Sequence, residues 1–148
     1  MRKVIGIGET ILDILFKDSQ PTAAVPGGSV FNGIISLGRL GVNVTFISET
    51  GNDKVGDIIL KFMRENGVST DHVNVFPEGK SPVSLAFLNE QNDAEYLFYK
   101  GEFYQFNLSS CIRQQNSLTA QFVSFSLSNL ANIFYPPPIF TIINLCLL

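Results

Sequence analysis

Two short stretches carry groups able to grip a small polar molecule. In Pro26-Gly27-Gly28-Ser29-Val30-Phe31-Asn32 a glycine turn runs directly into an amphipathic helical pattern. Successive glycines remove the Cβ atoms that would hold a ligand away from the main chain, and Pro26 stiffens the approach. Gly28 or Ser29 can serve as N-cap, and the unpaired N–H groups of a first helical turn favour anions or hydroxyl oxygens. Asn32, near the end of that turn, offers a donor and an acceptor together. The same residues also fit a plain turn followed by a solvated helix face. Upstream, Asp13 interrupts the apolar run Ile11-Leu12-Asp13-Ile14-Leu15-Phe16. An ionised carboxylate in such a run needs partners, so Asp13 is either a solvent-facing strand residue or an acid that grips hydroxyls at a cleft edge.

Other chemistries find less support. Gly6-Ile7-Gly8-Glu9-Thr10-Ile11 begins like a dinucleotide fingerprint, but Ile11 stands where the third glycine belongs and no helical pattern follows. Cys111 and Cys146 have neither metal-ligand spacing nor a disulfide framework, and His72 is the lone histidine, so no metal site is expected. A formal net charge of −3 provides no basic stripe for nucleic acid or an anionic membrane. A small-molecule partner is the expectation. Glu9 and Asp13 break any apolar export signal near the N-terminus, and a reducing cytoplasm is the simplest compartment.

The elements that must position these residues alternate in type. Val4-Ile5-Gly6-Ile7-Gly8 reads as a buried strand, and 11–16 as a second extended segment. Val30, Phe31, Ile34, Ile35 and Leu37 recur at helical spacing, with Gly41 as the stop. A strand follows over 42–49, and Gly51-Asn52-Asp53 opens a second helix carrying Val55, Ile58, Ile59, Phe62 and Met63, closed by Gly67. This order predicts a doubly wound α/β sheet with ligands at the carboxyl ends of its strands. Val73-Asn74-Val75-Phe76 and the Pro77-Glu78-Gly79 turn lead to a predicted hairpin, 83–88 and 94–99, around a polar turn at Asn89–Asp93. Such a hairpin is either padding or a flap over the cleft.

Beyond Gly101 the composition changes. Of the 23 charged residues only Arg113 lies after residue 102, and all 12 glycines lie at or before Gly101. The expected division is therefore 1–101 as the domain and 102–148 as an atypical tail, out of frame or disordered, with a sheet-pairing tail as the alternative. Its apolar end, 139–148, is too short to span a bilayer.

Gly8-Glu9 with Asp13, the 26–32 stretch, Gly38, Leu40-Gly41 and Gly51-Asn52-Asp53-Lys54-Val55-Gly56 together resemble, in order and spacing, the N-terminal signature of the PfkB/ribokinase family of carbohydrate kinases, nearest its fructokinase-like branch. The resemblance covers roughly residues 3–100. It implies a ribokinase-like α/β fold, here a partial doubly wound sheet with a β-strand lid from 11–16 and 83–99 and with the C-terminal half missing. It implies that Asp13, Gly27, Gly28 and Asn32 bind sugar hydroxyls, and that ATP and Mg²⁺ serve the intact family. The lid is the candidate surface for a homodimer. Ser29 stands where ribokinase-like members often carry Lys. The family's Gly-Ala-Gly-Asp motif, which supplies base and anion hole, has no counterpart here, so no catalytic residue is assigned and neither ATP nor Mg²⁺ is expected to bind this chain strongly. The expected function is a PfkB-type carbohydrate kinase represented by a truncated, inactive fragment; the alternative is a non-catalytic sugar-binding or oligomerisation module.

Overall fold

The computed structural model describes residues 4–100 and the backbone of two short strands at 122–125 and 141–142. Strands β1 (Val4–Ile7), β4 (Val44–Gly51) and β5 (Val73–Phe76) form a parallel sheet with β8 (Phe122–Phe125) and β9 (Thr141–Ile142), in the order β5-β4-β1-β8-β9. Val4 lies in register with Val44 on one side and Phe122 on the other. β8 lies beyond the boundary expected at residue 101. The remainder of the 102–148 tail, with Cys111, Arg113 and Cys146, falls outside the described residues apart from β9.

Helices α1 (Ser29–Arg39) and α2 (Lys54–Glu65) share one core with this sheet. The apolar positions read from the helical spacing are those that bury: Val30, Phe31, Ile34 and Ile35 on α1, Ile59 and Met63 on α2, against Val44 and Phe46. Phe31 meets Phe46 edge-on at 5.8 Å and stacks with Phe62 at 6.2 Å, which locks the two helices to β4. Each such side chain, fully buried, contributes about 1.5–3 kcal/mol. Ile58, counted in the apolar stripe, is instead 44% exposed at its edge. Gly41 and Gly67 follow the helices with φ of 72° and 74°, the stops expected of them.

The lid segments form a second sheet in the order β3-β2-β6-β7. β2 (Ile11–Lys17) pairs parallel with β6 (Val83–Leu88), and β6 pairs antiparallel with β7 (Ala94–Tyr99) as the expected hairpin. At its turn Asn92 has φ 66°, and the Asn89 side-chain oxygen accepts from the Gln91 and Asp93 N–H groups at 3.0 and 2.8 Å. β3 (Gln20–Gly27), antiparallel to β2, was not legible in the sequence. Its exposed Gln-Pro-Thr-Ala-Ala-Val run has no apolar alternation, and its turn uses Asp18 and Ser19 at φ 52° and 60° in place of a glycine. Pro21 is tolerated because β3 is an edge strand.

Asp53 joins the two layers. As N-cap of α2 it accepts the Gly56 N–H at 2.8 Å, and it also accepts the Ser81 N–H and hydroxyl, each at 2.8 Å. The Ser81 hydroxyl accepts the Gly51 N–H at 2.9 Å and lies 3.0 Å from Thr50 Oγ1. Burial works against ionisation of Asp53, but the N–H groups of Gly56, Ser81 and Val55 and the Ser81 hydroxyl prevail and hold its carboxyl below the usual 3.8. A carboxyl depressed in the folded state adds stability above its unfolded pKa, and that contribution disappears as pH falls through the folded value. Asp53→Ala is therefore expected to lower unfolding free energy by about 1–2 kcal/mol near neutrality. The difference between wild type and variant should shrink below about pH 4, as read by urea melts at pH 7 and pH 3.

Candidate functional site

The turn that ends β1 is held from below by β4. The Ser48 hydroxyl donates to the Gly8 carbonyl at 2.7 Å, and the Gly8 N–H donates to the Ile47 carbonyl at 3.2 Å. Chain leaving that turn becomes β2, and pairing with β3 brings the distant turn back beside it: Ile11 lies opposite Gly27, Leu12 opposite Pro26 and Asp13 opposite Val25. The half-buried Asp13 carboxylate rests against Gly27, where a Cβ would overlap Asp13 Oδ2. A side chain at residue 27 would therefore displace the Asp13 carboxylate from its place.

Gly28 is required by backbone conformation. It caps α1 at φ 128°, ψ 142° without a side-chain hydrogen bond, so Ser29 is the first helical residue and Gly28 the cap. A Cβ at Gly28 would also sit 2.6 Å from the Glu9 carbonyl oxygen. Asn32 lies one turn along: its N–H bonds the Gly28 carbonyl at 2.9 Å and its carbonyl accepts the Ser36 hydroxyl at 2.8 Å. Its exposed side-chain amide has no hydrogen-bond partner among the described residues.

The structure thus gathers Asp13, Gly27 and Gly28 at one edge, with Asn32 on the helical turn that starts there. This edge lies between the parallel sheet and the lid sheet. Across the gap Lys100, at the end of β7, pairs with Glu9 at 2.8 Å. Both are partly exposed, so the pair is worth about 0–1 kcal/mol, but it ties the hairpin to the turn after β1. The Asp13 carboxylate and the unpartnered Asn32 amide together offer acceptors and a donor suited to neutral hydroxyls. Among the described residues, no three His, Cys, Asp or Glu side chains are placed to hold a metal ion.

Two neighbours were missed by sequence reading. Ser84, on β6, stands in register with Asp13, and its hydroxyl donates to Asp13 Oδ1. Phe98, on β7, stands opposite Ser84, is 63% exposed and stacks with Tyr96 at 5.9 Å. Nothing in their local pattern marks them, because the pairing of β2 with β6 joins segments 71 residues apart.

The chain matches the family described as pfkB family carbohydrate kinase over residues 1–134. It is similar to a fructokinase of Rhizobium leguminosarum bv. trifolii, 31% identical over 101 residues, covering 65% of this chain and 30% of that one. It is also similar to probable fructokinase-4 of Arabidopsis thaliana, 24% identical over 104 residues, covering 66% and 32%. Among solved structures, fructokinase from Xylella fastidiosa with bound ATP superposes with a TM-score of 0.63 at 22% identity, covering 83% of this chain and 38% of that one. A ribokinase-like protein from Agrobacterium tumefaciens gives 0.64 at 17%, covering 84% and 44%. This chain spans about a third of the length of the curated relatives it matches. The ribokinase-like fold and the lid sheet agree with the expected fold class.

The two turn positions carry a contrast that stability measurements can read. Gly28→Ala should lower unfolding free energy by about 1–3 kcal/mol, the cost of a strained backbone region, with the Glu9 contact adding to it. Gly33→Ala, in the same helix with nothing within 4 Å of the added Cβ, should raise it by about 0.5–1 kcal/mol. Thermal melts of both variants check this.

Proposed function

Because this chain belongs to the pfkB family of carbohydrate kinases, we propose that it forms the sugar-holding part of an ATP-dependent kinase of fructokinase type, which transfers a phosphoryl group to a sugar hydroxyl. The observation that carries this reading is the Asp13 carboxylate set against the Gly27-Gly28 turn, where the main chain is bare of Cβ atoms. Asp13 accepts hydrogen bonds from sugar hydroxyls and orients them. Gly27 makes room for the Asp13 carboxylate, and Gly28 lets the turn close on the Glu9 carbonyl, so the two glycines shape the edge that faces the ring. The unpartnered Asn32 amide fixes it from the helix side. The similarity to fructokinases favours a hexose.

Phosphoryl transfer depends almost wholly on positioning and charge neutralisation. The motif that provides base and anion hole in the family is absent from these 148 residues. Sugar holding is therefore the role proposed for these residues, and no ATP- or Mg²⁺-binding role is assigned to them. No described helix is long and apolar enough to cross a membrane, and a cytoplasmic site of action belongs to the same proposal. A second reading, a non-catalytic sugar-binding or oligomerisation module, is favoured by exposed Tyr96, Leu97, Phe98 and Tyr99 on edge strand β7.

Chemical-shift mapping with fructose tests the reading. Saturable shifts of the Asp13, Gly27, Gly28 and Asn32 amides are expected, and Asp13→Ala should weaken binding by about 1.5–3 kcal/mol, the range for a hydrogen bond to a charged group. Shifts spread without localisation would contradict the reading. Purified 1–148 with ATP and fructose should form no sugar phosphate above background; turnover would show that the chain carries its own catalytic base.

A further inference from the structure

Ser84 is a completely buried hydroxyl, 0% exposed, on a strand that otherwise buries only Ala86. A buried hydroxyl must find a partner, and the one it finds is Asp13 Oδ1. An ionised carboxylate only accepts, so the proton in this contact belongs to Ser84. Ser84 thereby occupies one oxygen of the acid, while the other lies against the Gly27 turn. A half-buried Asp side chain on a strand otherwise chooses among staggered rotamers; this hydrogen bond selects one.

Ser84 is itself placed from the other layer. Ser81 is gripped by Asp53 through both its N–H and its hydroxyl. The next residue, buried Pro82, gives its carbonyl to the Leu12 N–H at 3.1 Å, which starts the β2–β6 ladder. That ladder puts Ser84 level with Asp13. The N-cap of α2 therefore sets the register on which the Asp13 contact depends.

We propose that Ser84 is the positioning residue for Asp13, presetting the carboxylate for a hexose hydroxyl. It touches the acid and not the reacting atoms. The inference rests on the sugar-holding reading for its functional consequence, but the positioning itself is measurable without sugar.

Side-chain scalar couplings of Asp13 decide the positioning. In wild type they should report one χ1 rotamer, and in Ser84→Ala an average over at least two. An averaged rotamer in wild type, which needs no variant to fold, would overturn the proposal, as would an unchanged single rotamer in Ser84→Ala. Fructose titration then decides the consequence. Ser84→Ala should weaken binding about five- to twentyfold, and by less than about twofold when Asp13 is already Ala, because the two act as one unit. Equal losses in both backgrounds would make Ser84 a merely structural residue and overturn the proposal. If wild type shows no fructose-dependent shifts, the sugar reading falls and with it the consequence claimed for Ser84, while the coupling measurement still decides the positioning.

Discussion

The Asp53–Ser81 contact is the constraint on which the two-layer arrangement turns. A helix needs its first N–H groups satisfied, and Asp53 answers that local need through Gly56 while its remaining acceptor capacity holds the chain that enters the lid. One carboxylate thus caps α2 and fixes where β6 begins. Without that grip, β6 would have only its neighbours in the lid to set its register, and a slip by one residue would turn Ser84 away from Asp13.

The candidate site inverts the usual relation between burial and polarity. Asp13 lies in a strand whose neighbours are apolar, yet it is kept polar by a buried hydroxyl on one side and a Cβ-free turn on the other. Keeping a carboxylate half-buried costs desolvation energy, which the charge-assisted hydrogen bond from Ser84 offsets. On the proposed reading, a sugar's hydroxyl donors would add to that hydrogen bond at the same carboxylate.

Much of this was legible in the residues. The periods of α1 and α2, the Gly41 and Gly67 stops and the 83–99 hairpin were readable because each is encoded locally. The anomaly of Asp13 was visible as a charge in an apolar run. Strand β3 was not, since an edge strand turned by Asp18-Ser19 and carrying Pro21 lacks both alternation and the usual glycine turn. Ser84 was hidden for a different reason: its role comes from parallel pairing across the fold. The composition break after Gly101 was real, but β8 lies in register with β1 and the family match continues to residue 134, so the change in charge content does not coincide with the edge of the family's sequence.

On the proposed reading, Asp13, Gly27, Gly28 and Asn32 form one receptor for a hexose. A crystal structure of the chain grown with fructose tests it most directly. A sugar ring is expected at the edge formed by the Gly27-Gly28 turn, with hydroxyls within about 3 Å of the Asp13 carboxylate and the Asn32 amide. A sugar bound elsewhere, or an Asp13 carboxylate turned to bulk solvent with the ring absent at saturating fructose, would contradict it.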